Sequence, residues 1–291
     1  MEKEMREVAS YAERALLYEV TCTPKPGLVD AVDAGAHEDM DIFTFIKSSC
    51  VLRGYFEEFF KRGYQAEKEL PLPELFEQIR QLGLEAEQAM YQVTFGVNTH
   101  KGAIFSLGIL LCATGYVHKQ NTSITVEKVL SVTKKMLIRL SADFKKLNLG
   151  ENQSYTAGEQ LYLKYGISGI RGEASAGYPL VYNYALPFLK KSKGTTHERM
   201  LDTLLYLVTL AEDTNLIKRG GSLATLFEVR KKIKNYFDHG GSKSDQGKQD
   251  LATLNQEFKD KNLSIGGSAD LLIVTLYFFF LEGNDLANSE A

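Results

Sequence analysis

The chain reads as an all-α protein folded as a single multi-helix domain over residues 1–291. Three observations predict this. Apolar residues recur at three- and four-residue spacing, as in Leu251, Leu254 and Phe258, or Met200, Leu204, Leu207 and Ala211, the period of a helix with one buried face. Alternation of the strand type is nearly absent. Start and stop signals fall where that periodicity begins and ends, and no linker or repeat divides the chain.

Taken in order, the first helix is expected from about Lys3 to Tyr18, and its first residues MEKEMREVAS are charged rather than of the signal-peptide type. Pro71 and Pro73 before Glu74 suit a helix's first turn. Thr156 to Glu159 and Thr195 to Glu198 each set a hydroxyl three residues ahead of a glutamate, the pattern of a capping box. The last helix is expected from about Ala269 to Leu281, and about ten helical segments are expected in all. The most apolar runs, Ala103 to Ala113 and Leu271 to Leu281, fall short of the ~20 residues that cross a bilayer, so they are expected as buried helices. Gly240 to Gly247 is expected as a surface loop, with closure over a site as the alternative.

Composition narrows the function. Hydrophobic residues are 44% and charged residues 24% of the chain, and the net charge is −3, which offers no general attraction to nucleic acid or an anionic membrane. Cys22, Cys50 and Cys112 are odd in number and widely spaced, the usage of reduced thiols in a cytoplasmic protein rather than of a disulfide framework or zinc site.

The helical pattern is interrupted by five segments in which Gly or Pro accompanies charged residues. In Thr23 to Asp30 two prolines stiffen the chain, so Lys25 is expected to project from a rigid loop near His37 and Asp39, while Asp41 suits a helix cap. In Gly96 to Gly102, Asn98, Thr99, His100 and Lys101 stand at the start of an apolar helix. A lysine is unfavourable at that end unless an anion faces it, and the plainer role is an N-cap from Asn98 or Thr99. In Gly166 to Pro179, Arg171 offers a fork for phosphate and Glu173 a base or metal ligand, or the two form a plain ion pair. Asp213 and Asn215, with Asp270 in the fifth segment, are hard oxygen donors suited to Mg²⁺. Arg219 with Gly220 and Gly221 resembles a phosphate-reading turn. No Walker loop or Rossmann turn is present, and the run Arg230 to Lys234 reads as a solvated face. His118, His197 and His239 are assigned no role.

These blocks, TPKPGLVD (23–30), GAHEDMD (35–41), GVNTHKGAIF (96–105), GIRGEA (169–174), DTN with RGG (213–221) and GGSADLL (266–272), resemble the signature blocks of the triphosphoribosyl-dephospho-CoA synthases, in that family's order and over nearly the whole chain. The resemblance implies an all-α enzyme, a pentosyltransferase that takes ATP and 3'-dephospho-CoA and releases adenine. Its product is an α-linked riboside made from a β-linked nucleotide, so one inverting displacement is the simplest route. The product then passes to a transferase that modifies the acyl carrier protein of citrate lyase, favoured here, or of malonate decarboxylase. Oligomeric state is open, a homo-oligomer included.

On this reading Glu173 or Asp39 takes the proton of the attacking hydroxyl, and His100 or His37, whose imidazole is expected to titrate near neutrality, helps adenine leave by donating to a ring nitrogen. Lys25, Lys101, Arg171 and Arg219, with Asn98, Thr99, Gly220 and Gly221, hold phosphates. Asp213, Asn215 and Asp270 hold Mg²⁺. The rival expectations are a magnesium-dependent nucleoside or ADP-ribosyl hydrolase and a non-enzymatic helical adaptor.

Overall fold

The computed structural model describes residues 1–120, 123–140, 155 and 157–286. Thirteen α-helices follow one another without a strand among the described residues. They are α1 (Glu2–Thr21), α2 (Ile42–Gln65), α3 (Leu72–Val93), α4 (Lys101–Lys119), α5 (Val126–Met136), α6 (Ala157–Tyr165), α7 (Gly169–Ala176), α8 (Leu186–Lys191), α9 (Thr196–Leu210), α10 (Thr214–Gly220), α11 (Leu223–Asp238), α12 (Asp245–Asp260) and α13 (Gly266–Leu281). A single π turn (Val181–Ala185) leads into α8, just ahead of Pro187, and a 3₁₀ turn (Gly241–Lys243) precedes α12.

Local chemistry accounts for the helix starts. Asp41 caps α2 by accepting the Thr44 backbone N–H at 2.8 Å, and Thr44 returns the bond to the Asp41 N–H. Thr195 and Glu198 form the same reciprocal box at α9. Pro73 lies in the first turn of α3, where a missing N–H costs nothing. Thr156 lies outside the described residues.

The apolar α4 and α13 form the centre. From Ala103 to Val117 nearly every residue of α4 is buried, and twelve of the sixteen residues of α13 are buried. By length and hydropathy α4 matches a membrane span, yet here it is the core helix against which α2, α3, α5 and α13 pack. Its contact with α2 is close enough to exclude side chains. A Cβ on Gly63 would lie 1.8 Å from the Cys112 carbonyl oxygen, and one on Gly115 would lie 2.0 Å from that of Phe60, so glycine at both positions sets the interhelical distance.

One expectation is corrected. Gly240 to Gly247 is not an open loop: Gly241 and Ser242 are buried against α9, where Asp202 accepts the Ser242 N–H at 3.2 Å, and Ser244 caps α12 through the Gly247 N–H at 2.8 Å. The glycines and serines that suggest a flexible loop serve here as a left-handed turn and a helix cap.

Candidate active site

A cavity of about 1310 Å³ opens where the N-terminal ends of α4, α7, α10 and α13 meet, closed on one side by residues 28–29 and 35–40 and on another by Asn262 and Ser264. Five segments far apart in sequence thus meet at one place. Of the residues expected to carry chemistry, His37, Asp39, Asn98, Thr99, His100, Lys101, Glu173, Asp213, Asn215, Arg219 and Asp270 border it. Lys25, Arg171, Gly220 and Gly221 do not.

Each helix end meets the cavity differently. At α4 the Lys101 N–H is taken by the Asn98 side chain at 3.1 Å, and the Asp270 carboxylate receives the Ala103 N–H. Asp270 needs Gly102 to be glycine, because a Cβ there would lie 2.0 Å from its Oδ2. Asp213 joins two helices. Its Oδ1 accepts the N–H groups of Asn215 (3.0 Å) and Leu216 (3.1 Å) at α10, and of Gly267 (3.3 Å) at α13. Its Oδ2 accepts the Ser268 N–H at 2.7 Å and hydroxyl at 2.8 Å. At α7, by contrast, no side chain caps the first turn, although Ser168 to Ile170 border the cavity. That end leaves open N–H groups and the positive end of a helix dipole.

Electrostatics divide the carboxylates. Burial pushes the Glu173 carboxyl up, opposed by the Leu180 N–H it accepts at 3.2 Å and reinforced by the nearby Glu212. No ion pair joins Glu173 to Arg171, which is exposed and outside the cavity. The enclosing protein, then the Glu19 and Asp213 carboxylates, push Asp270 well above the usual range. Burial likewise raises Asp213 against the five donors it accepts. Burial pushes His100 down to about 3, with Lys25 adding to the effect. His100 is therefore neutral at pH 7, and the expectation that its ring titrates near neutrality is corrected. His37 is lowered by burial and by Arg219, with Asp39 opposing.

One basic residue differs from expectation, and another is partly engaged by protein. Lys25 does not project from its loop: it is 1% exposed, donates to the Glu19 carbonyl at 2.7 Å and is ion-paired with the Glu19 carboxylate. The Arg219 guanidinium donates to the Ala36 carbonyl (3.0 Å) and the Asn262 side chain (2.8 Å), and approaches His37 Nδ1 at 3.3 Å. It fastens the 35–37 loop to the cavity rim. Lys101 reaches Glu87 at 2.9 Å while remaining exposed at the mouth.

Sequence reading missed Glu19, Glu212 and Lys259, which also border the cavity. Glu19 had a signal: it continues the buried stripe Ala12, Ala15, Leu16 of α1, where an acid calls for a partner. Glu212 adjoins the Asp213 motif and Lys259 had no local signal.

Seven carboxylates and three lysine or arginine side chains border the cavity. Among the described residues no three His, Cys, Asp or Glu side chains gather as a metal cage.

Comparison with known proteins shows the family. The family model described as CitG, ATP:dephospho-CoA triphosphoribosyl transferase, matches residues 5–289. A protein of Lactiplantibacillus plantarum named as a 2-(5''-triphosphoribosyl)-3'-dephosphocoenzyme-A synthase is 48% identical over 93% of this chain and 95% of its own. One of that name from Citrobacter koseri is 40% identical over 92% and 88%. Protein CitXG of Leuconostoc mesenteroides subsp. cremoris is 42% identical over 96% of this chain and 60% of its own length. No solved structure matches. A family match over almost every residue, with relatives similar across nearly their full length, identifies the chain as a member of the CitG family of ATP:dephospho-CoA triphosphoribosyl transferases.

Proposed function

We propose that the family's displacement takes place in this cavity, with the triphosphate at the uncapped start of α7 and Glu173 as the proton acceptor. The observation that carries this reading is that an open helix N-terminus and a carboxylate of raised proton affinity border one enclosed space, four residues apart in the chain.

The 2'-hydroxyl oxygen of dephospho-CoA attacks C1' of the ATP ribose as the C1'–N9 bond breaks with its electrons passing to adenine. Glu173 takes the hydroxyl proton. Adenine needs one proton in exchange, so the proton collected by Glu173 balances the reaction through solvent. Asp39, exposed beside Arg219 and His37 at the rim, is the less suited acceptor because water solvates it. His100, as a neutral donor, stabilises the charge that develops on departing adenine. Lys101 and Arg219 at the mouth attract the phosphates and the pyrophosphate of dephospho-CoA.

A triphosphate entering a cavity with more acidic than basic groups needs added positive charge, which supports Mg²⁺ accompanying ATP. Asp213 does not fit as a direct ligand, since five donors already occupy its oxygens. Asp270 and Asn215 fit the one or two protein ligands that such an ion takes beside phosphate oxygens. When bound, the ion would neutralise phosphate charge.

The CitXG name of one relative supports citrate lyase rather than malonate decarboxylase as the destination of the product. The substrates and the free cysteines support a cytoplasmic site of action. The reading is tested by mixing protein, ATP, Mg²⁺ and dephospho-CoA and following adenine and the CoA product. Adenine that appears only with dephospho-CoA supports it, whereas adenine release indifferent to dephospho-CoA would replace it with a hydrolase.

A further inference from the structure

Three buried side-chain polar atoms lack a hydrogen-bond partner among the described residues: His100 Nε2, Ser106 Oγ and Tyr178 Oη. Ser106 and Tyr178 are neighbours: burial pushes the Tyr178 hydroxyl up, and the serine hydroxyl opposes it. Neither borders the cavity. His100 does, and it is 2% exposed.

The other ring nitrogen of His100 is held. Thr99 Oγ1 donates to Ser48 Oγ at 2.8 Å, and Ser48 Oγ meets His100 Nδ1 at 2.7 Å. A hydroxyl has one proton to give. Ser48 Oγ accepts from Thr99 and, among the described residues, meets no acceptor for its own proton other than Nδ1, which is then the bare, accepting nitrogen. A neutral imidazole with a bare Nδ1 carries its proton on Nε2. Phe45 packs edge-on against the ring at 5.0 Å and fixes its plane. Ser48 itself is fully buried on α2, so solvent does not compete for its hydroxyl.

We propose that Ser48 is a positioning residue: relayed from Thr99, it locks His100 as the Nε2–H tautomer so that a neutral donor awaits a ring nitrogen of the ATP adenine. The orphaned Nε2–H then has a purpose, because a buried donor without a partner is unfavourable and the bound base supplies the missing acceptor. Burial, which keeps the ring neutral, suits a donor that strengthens its bond as charge builds on adenine without surrendering the proton. The inference rests on the reading above that adenine lies beside His100.

The test is nitrogen NMR of the histidine-labelled full chain together with steady-state kinetics. In the unaltered protein His100 is expected to show a bare Nδ1 and a protonated Nε2. Ser48→Ala is expected to mix the tautomers and to lower kcat by about tenfold, the worth of one hydrogen bond, with KM for ATP nearly unchanged. His100→Gln offers an amide donor near the Nε2 position and has no tautomers, so adding Ser48→Ala to it is expected to change kcat little. A protonated Nδ1 in the unaltered protein, or Ser48→Ala with unchanged tautomer and kcat, would overturn the proposal. If His100→Leu releases adenine at the normal rate, the placement of adenine fails, while the NMR result still decides the tautomer by itself.

Discussion

The floor of the cavity and its rim are built from the same sequence blocks but hold their charges in opposite ways. On the floor, Glu19 is paired with Lys25 buried beneath it, and Asp213 is saturated by five donors from two helices. At the rim, Lys101, Asp39, Asn215 and Arg219 are exposed. Floor charges are committed to one another and to helix ends, so they determine where the segments meet. Rim charges remain open to solvent and therefore to a substrate. A charged residue in a Gly- and Pro-rich motif is thus no guide to ligand contact until its partners are known.

The largest contrast lies between two lysines. Lys25→Met leaves the Glu19 carboxylate buried and unpaired, and the expected loss is about 3–5 kcal/mol of folding stability, measured by urea denaturation. An unchanged midpoint would break the distinction between floor and rim. Glu173→Gln on the cavity wall is expected to lower kcat by about 10²-fold or more while calorimetry shows ATP affinity retained. Lys101→Met, the rim counterpart of the first variant, is expected to raise KM for ATP by about tenfold. Its effect on stability is expected to stay within about 1 kcal/mol, because the pair it loses joins an exposed lysine to a half-buried Glu87.

Asp270 sharpens the comparison through pH. Its folded pKa lies well above that of the free carboxyl, so the folded protein binds this proton more tightly than the unfolded chain. Stability from this group is therefore complete below the unfolded pKa and lost as pH rises toward the folded one. The slope is at most about 1.4 kcal/mol per pH unit for one proton. Asp270→Asn is expected to remove that part of the decline in thermal melts taken from pH 4 upward, and an unaltered pH profile would contradict it. The smallest effect is expected at Asp41, away from the cavity: Asp41→Ala loses the α2 cap at a cost of about 1 kcal/mol with kcat unchanged.

Much of the fold was legible because its signals are local. Asp41, Thr195 and Pro73 marked helix starts that the structure contains, and the apolar runs after Lys101 and after Ala269 became the two central helices. The first helix runs to Thr21 rather than Tyr18, and the last begins at Gly266 rather than Ala269, because helix ends follow backbone bonding and not apolar spacing alone. The lining of the cavity was also largely legible, since the blocks interrupt the helical pattern at the ends that meet. Roles were not. Whether Lys25 faces solvent depends on Glu19 six residues earlier folding back over it, and whether Asp213 is free depends on Gly267 and Ser268 some fifty residues later. Those are facts of packing, which spacing along the chain does not carry.

The most direct test of the central claim, that displacement occurs in this cavity with Glu173 as proton acceptor, is a single-turnover measurement of adenine release by the unaltered protein and by Glu173→Gln. Each is preloaded with ATP and Mg²⁺ and then mixed with dephospho-CoA. The account predicts a rapid burst of adenine from the unaltered protein only after dephospho-CoA is added, and a burst slowed by about 10²-fold or more in the variant with ATP still bound. Equal bursts from the two proteins would contradict it.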